Sequence, residues 1–165
     1  MRICFVCLGN ICRSPAAEAV FVELAAARSD VRAIVVESAG TGPWHVGNPP
    51  HPLTLIEAQR RGIPIDHAGQ QFGVADFDRF DLIVAMDGGN VADLDAMAPD
   101  DAARSRIVRL GSFAPGADGS RWAGAEGLDV PDPYGEPQEA FAAMFDQVEA
   151  SCRGLLDWIA DGNAA

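Results

Sequence analysis

The stretch Arg2-Ile3-Cys4-Phe5-Val6-Cys7-Leu8-Gly9-Asn10-Ile11-Cys12-Arg13-Ser14-Pro15 decides how this chain folds. Arg2 to Val6 is rich in Ile, Phe and Val and alternates little, as a strand buried on both faces does. Beyond the loop, Ala17, Val20, Phe21 and Leu24 recur at helical spacing and give an apolar face through Ala27. Ser14 suits an N-cap and Pro15 the first helical position, where its missing N–H costs nothing. Glu18 falls one position too late for a capping box. The expected order is strand, short loop, helix.

A loop this short, fixed at both ends, can wrap one small tetrahedral anion. Its backbone N–H groups then point inward, Arg13 forks onto two oxygens, and the Cys7 sulfur sits beneath the central atom. Gly9 is expected to supply the sharp turn. The residues from Cys7 through Leu8, Gly9, Asn10, Ile11 and Cys12 to Arg13 are therefore the candidate anion cradle. Successive amides, a helix N-terminus and an arginine all favour a thiolate over a thiol. The same donors stabilise an oxyanion during phosphoryl transfer, so one loop can serve both nucleophile and transition state.

Downstream, strands and helices alternate. Ala33 to Glu37, Asp81 to Met86 and Arg106 to Leu110 are short aliphatic runs bounded by turns. His51 to Arg61 is a helical segment ended by Gly62, and Asn90 to Met97 is another. Gln138 to Ala160 keeps Phe141, Met144, Phe145, Val148, Cys152, Leu155, Leu156 and Ile159 on one face. Such βα alternation predicts a three-layer α/β sandwich, a parallel sheet with helices on both faces and right-handed crossovers. Ligands in these sheets bind at the carboxyl ends of strands, where the Cys7–Arg13 loop lies. Two long turn-rich loops, Ala39 to Pro52 and Phe113 to Glu136, interrupt the alternation.

At 165 residues the chain is expected to form one domain, residues 1–165, with a disordered tail of a few residues. A formal charge of −12 argues against nucleic acid or an anionic membrane as partner. All 12 basic residues are arginine, which we read as compositional bias. Anion attraction must then be local, and a basic segment on a protein substrate would ease encounter. No apolar run approaches the ~20 residues of a membrane span. Nor is a signal peptide visible, so a cytoplasmic location with reduced thiols is the expectation.

The four cysteines divide by position. Cys4-Phe5-Val6-Cys7 has redox-motif spacing, but Cys4 falls inside a strand instead of at a helix start. Cys4, Cys7 and Cys12 would need the distant Cys152 to complete a tetrahedral metal site, so no metal or other cofactor is expected. Cys4 and Cys152 read as core residues. A proton donor for the leaving oxygen is still required. Val130-Pro131-Asp132-Pro133-Tyr134 offers Asp132, restrained by prolines on both sides.

Taken together, C-L-G-N-I-C-R-S-P near the N-terminus and D-P-Y before the last helix resemble the low-molecular-weight protein tyrosine phosphatases. The likeness runs along nearly the whole chain, through V-E-S-A-G-T-G (residues 36–42) and M-D-G-G-N (residues 86–90). It implies a four-stranded parallel sheet in flavodoxin-like order 2-1-3-4. It also implies a cysteinyl-phosphate mechanism with Cys7 as nucleophile, Arg13 as clamp and Asp132 as general acid, then base. Asn10, Ser14, Ser38 and His67 match residues that hold the family's phosphate loop. Ile11, Trp44 and Tyr134 match the walls around a flat phenyl ring. Cys12 matches a second loop cysteine that forms a reversible disulfide with the nucleophile. Implied substrates are phosphotyrosine proteins, tyrosine kinases among them, acted on by a monomer or weak dimer.

Gly135 stands where many relatives carry a second tyrosine. Protein-arginine phosphatases share the fold but carry threonine where Ile11 stands. Thioredoxin-coupled arsenate reductases need further cysteines after the third strand, and Asp81 to Ala98 contains none.

Overall fold

The computed structural model describes residues 1–31, 34–117 and 128–162. Strand β1 (Arg2–Cys7) runs through the middle of a four-stranded sheet of order β2-β1-β3-β4, with every pairing parallel. Its neighbours are β2 (Val35–Gly40) and β3 (Leu82–Ala85), and β4 (Ile107–Arg109) closes the far edge. β2 begins and ends later than the expected Ala33 to Glu37, and Ala33 lies outside the described residues. It extends through Ser38 and Ala39 because β1 pairs there, Phe5 opposite Ser38 and Cys7 opposite Gly40.

The strand period of two sorts β1 between two cores. Ile3, Phe5 and Cys7 face α1 (Arg13–Ala26) and α5 (Gln138–Ala160). Cys4 and Val6 face the opposite layer. That layer contains α3 (Gly88–Met97), the single-turn α4 (Asp101–Arg104) and a 3₁₀ turn at Val74–Asp78 carrying the fully buried Phe77. The sorting splays Cys4 from Cys7, a spacing of three on a strand, and explains why their C-x-x-C letters make no redox pair. Helix α2 (Pro52–Arg60) packs on α5, and Gly62 leaves it in the left-handed conformation at φ 70°.

The start of α1 differs from expectation. Its N-cap is Cys12, so Ser14 and Pro15 are the second and third helical residues. Proline is tolerated there, and Ser14 is freed from capping to face the Cys7 sulfur instead. The first turn of α1 carries no carboxylate, so the positive end of its dipole is left unneutralised beside the loop. α4, the 3₁₀ turn at Val74–Asp78 and a second at Leu110–Phe113 are too short to show a period in the sequence. The expected C-terminal tail falls on residues 163–165, and part of the second long loop on residues 118–127, both outside the described residues.

Candidate active site

Cys7 ends β1 at the carboxyl edge of the sheet, and the loop that follows is held from outside by its carbonyls. Thr41 N–H donates to Cys7 O at 2.9 Å, Gly42 N–H to Leu8 O at 2.9 Å, and His51 N–H to Ile11 O at 2.8 Å. The described residues contain no cis peptides. A trans peptide sets N–H opposite C=O, so the amides of Leu8, Gly9 and Cys12 face the inside of the loop. Asn10 N–H donates to Cys7 Sγ at 3.3 Å.

The expected turn at Gly9 is made one residue later. Asn10 has φ 55°, a conformation that asparagine adopts more readily than most residues. Gly9 answers to space: a Cβ there would stand 3.0 Å from His45 Cδ2.

Asn10, fully buried, organises the loop. Its amide donates to Ser14 Oγ at 2.8 Å and to Ser38 Oγ at 3.0 Å. Its carbonyl accepts from Gln70 N–H at 2.8 Å and meets His67 Nε2 at 2.8 Å. Ser14 Oγ accepts from Asn10, lies 3.1 Å from Cys7 Sγ and 3.3 Å from Ala39 O, and so can turn its one hydrogen to the sulfur or to that carbonyl. The four expected loop supports, Asn10, Ser14, Ser38 and His67, therefore form one connected network. A fifth member, Glu18, was noted in the sequence only for failing a capping box. Its Oε2 accepts from Ser38 Oγ at 2.6 Å and lies 3.5 Å from His67 Nδ1. Burial pushes the Glu18 carboxyl up and the His67 imidazole down, so both are drawn toward their neutral forms.

Arg13 is buried yet multiply paired. Its Nη1 donates to Asp87 Oδ2 and to Val130 O at 3.1 Å, and its Nη2 to Asp132 Oδ2 at 2.8 Å. Burial opposes the charge, but Cys7, Asp87 and Asp132 outweigh it and raise the guanidinium's pKa. The buried Nε makes no hydrogen bond to the described residues and is one donor still available to an anion. Asp87 was missed as a site residue, although it lies in the M-D-G-G-N stretch that carries the family likeness. It also caps α3 through Asn90 N–H at 2.7 Å.

The segment bearing Asp132 is fastened behind that carboxylate. Val130 N–H donates to Met86 O at 2.8 Å, and the Gln147 amide to Asp129 O at 2.8 Å. Asp129 Oδ1 takes Gly88 N–H at 3.0 Å and the buried Arg109 at 2.8 Å. Asp132 itself remains 40% exposed at its side chain, with Oδ2 on Arg13 and Oδ1 accepting from Tyr134 N–H at 3.1 Å.

A pocket of about 190 Å³ opens over the loop, lined by Cys7, Leu8, Gly9, Ile11, Cys12, Arg13, Trp44, His45, Asp132 and Tyr134. Trp44 is 66% exposed and Tyr134 59%, so both are rim residues and not core anchors. Two histidines that the sequence did not flag stand against Tyr134. His45 is 6.2 Å from it between ring centroids, and His51 meets it edge-on at 5.7 Å. His51 also stacks on buried Phe141 and caps α2, accepting from Leu53 N–H at 3.2 Å. The Cys12 thiol is pushed up to about 12 by burial, with the charge at Cys7 adding to it and the Thr54 hydroxyl opposing. Burial likewise raises Cys4 and Cys152. Among the described residues no cluster of three or more His, Cys, Asp or Glu could hold a metal, and no helix is long and apolar enough to cross a membrane.

Comparison with known proteins follows the same lines. A low molecular weight protein-tyrosine-phosphatase of Streptomyces coelicolor is 42% identical over 157 residues, 94% of this chain and 91% of its own. The crystal structure of a protein tyrosine phosphatase from Entamoeba histolytica superposes with a TM-score of 0.88 at 31% identity, covering 99% of both chains. A Drosophila arginine phosphatase superposes with a TM-score of 0.84 at 31% identity, covering 96% of this chain and 98% of its own. The sequence profile of the low molecular weight phosphotyrosine protein phosphatases matches residues 2–164, and the chain belongs to that family.

Proposed function

We propose that the protein hydrolyses aryl phosphate monoesters, foremost phosphotyrosine in proteins, through a cysteinyl-phosphate on Cys7. One observation carries this reading: Cys7, Arg13 and the Asp132 carboxylate converge on a single pocket with aromatic walls. In the first step the Cys7 sulfur attacks phosphorus and the P–O(aryl) bond breaks. Protonated Asp132 gives its proton to the departing phenolate oxygen. In the second step the Asp132 carboxylate takes a proton from water as the water oxygen attacks phosphorus. The S–P bond breaks, Cys7 returns as thiolate, and inorganic phosphate leaves.

The inner amides and Arg13 carry the charge on the equatorial oxygens throughout. Asn10, Ser14, Ser38 and His67 keep those amides in place. Ile11, Trp44 and Tyr134 embrace the phenyl ring, and a phenol is a far better leaving group than an alkoxide. We assign Cys12 as the partner of Cys7 in a reversible protective disulfide. A chemistry that depends on a free thiolate suits a reducing, cytoplasmic compartment, and substrates there include tyrosine kinases.

The test compares kcat/KM on phosphotyrosine, phosphoarginine and arsenate, together with Cys7→Ser and Asp132→Ala. Phosphotyrosine is expected to lead. Cys7→Ser should abolish turnover while retaining phosphate binding, and Asp132→Ala should lower kcat by ~10²–10⁴. Full activity in Cys7→Ser, or preference for phosphoarginine, overturns the reading.

A further inference from the structure

We propose that Gly42 is a positioning residue for the aromatic wall, the bed on which Trp44 lies, and that its missing side chain sets the pocket's preference for aryl ligands. The proposal takes from the function above only that the pocket receives an aryl group joined to a phosphorus oxyanion.

An ideal Cβ on Gly42 would stand 1.7 Å from Trp44 Cζ3, 2.2 Å from Cε3 and 2.6 Å from Cη2. The benzo ring of the indole therefore lies directly over the Gly42 α-carbon. Backbone strain does not require glycine here, because Gly42 is not among the positive-φ residues. Space alone requires it. A methyl group needs about 3.5–4.0 Å from the ring carbons, so alanine would drive the indole roughly 2 Å from its seat.

The Trp44 backbone has little room to retreat. The turn after it is pinned on its far side, with Gly47 N–H donating to Gly69 O and Gly69 N–H to Asn48 O, each at 2.8 Å. A Cβ on Gly69 would come 2.3 Å from His45 O, so this seam is also closed by a missing side chain. The displacement must fall on the side-chain torsions of Trp44, which is 66% exposed and free to swing toward solvent. The bed is also tied to the anion loop, because Gly42 N–H donates to Leu8 O. Alanine keeps that N–H. The wall and the cradle are thus separable: a methyl at residue 42 moves the aryl wall and leaves the oxyanion donors in place.

The test is equilibrium binding of phenylphosphonate and of inorganic phosphate by calorimetry, on wild type, Gly42→Ala, Trp44→Ala and the double variant. Wild type should prefer the aryl ligand. Gly42→Ala should reduce that preference about 2–10-fold, the scale of a lost aromatic stack, with phosphate affinity unchanged within about twofold. In the Trp44→Ala background the same change should cost nothing further. An equal loss with and without Trp44, or a parallel loss of phosphate affinity, overturns the proposal, as does an unchanged preference in Gly42→Ala. These readouts need no turnover. An enzyme that binds as expected but hydrolyses no aryl phosphate refutes the phosphatase reading and leaves the Gly42 assignment standing.

Discussion

Asn10→Ala should be among the most damaging single changes in the protein, because one small side chain holds four partners. It removes donors to Ser14 and Ser38 and the acceptor shared by Gln70 N–H and His67 Nε2. A buried hydrogen bond contributes about 0.5–1.5 kcal/mol net, and an unsatisfied buried donor costs more. Ser14 and Ser38 keep second partners in Cys7 and Glu18, so the orphaned groups are Gln70 N–H and His67 Nε2. Alanine must also hold φ near 55°, at about 1–2 kcal/mol. Partial relief by entering water leaves a loss of about 3–5 kcal/mol, against a total stability of about 5–15. At 2–4 °C per kcal/mol for a chain of this size, the melting temperature should fall by about 6–20 °C. Thermal denaturation with parallel kcat/KM on phenyl phosphate measures both consequences. A loss below about 1 kcal/mol with unchanged kcat/KM would refute the claim that Asn10 organises the loop.

Asp87→Ala should cost about 2–4 kcal/mol, because it removes the cap on α3 and one partner of the buried Arg13 charge. Phosphate inhibition should weaken with it, and unaltered inhibition would show that Arg13 needs no anchor there. His67 gives a pH signature: burial holds its folded pKa below the unfolded ~6.5. Its stabilising contribution is therefore fully present above the unfolded pKa of ~6.5 and is lost progressively as pH falls from there through the lower folded pKa. Wild type's advantage over His67→Asn in urea denaturation should shrink toward pH 5, and a constant gap from pH 8 to 5 removes His67 from the titration. Gly154→Ala tests packing: a Cβ would lie 2.0 Å from Phe113 O, so about 1–3 kcal/mol should be lost. On an open helix face the same change would stabilise, so the sign of the shift in denaturation midpoint decides.

Much of this was legible in the chain because its signals are local or periodic. The buried run of β1 and the five apolar turns of α5 announce themselves within one window of sequence. The strand boundaries at β2 did not, since Ser38 and Ala39 join the sheet only because Phe5 and Val6 stand opposite them. Glycine likewise carried two meanings. At residue 9 the sequence suggested a turn, whereas the backbone turns at Asn10 and Gly9 makes room for His45.

The sequence by itself pointed to the parallel α/β architecture, the Cys7–Arg13 loop and the Asp132 segment, and its resemblance to the family named Asn10, Ser14, Ser38 and His67 as supports. Only the tertiary structure decided what surrounds them: Asp87 on Arg13, Glu18 behind His67, two imidazoles against Tyr134 and Trp44 lying on Gly42. The physical reason is range. Propensity and hydrophobic period act over a few residues, but Asp87 is 74 positions from Arg13 and Asp132 is 119. Charges and rings that far apart in the chain meet only when the crossovers place the carboxyl ends of β1 and β3 side by side.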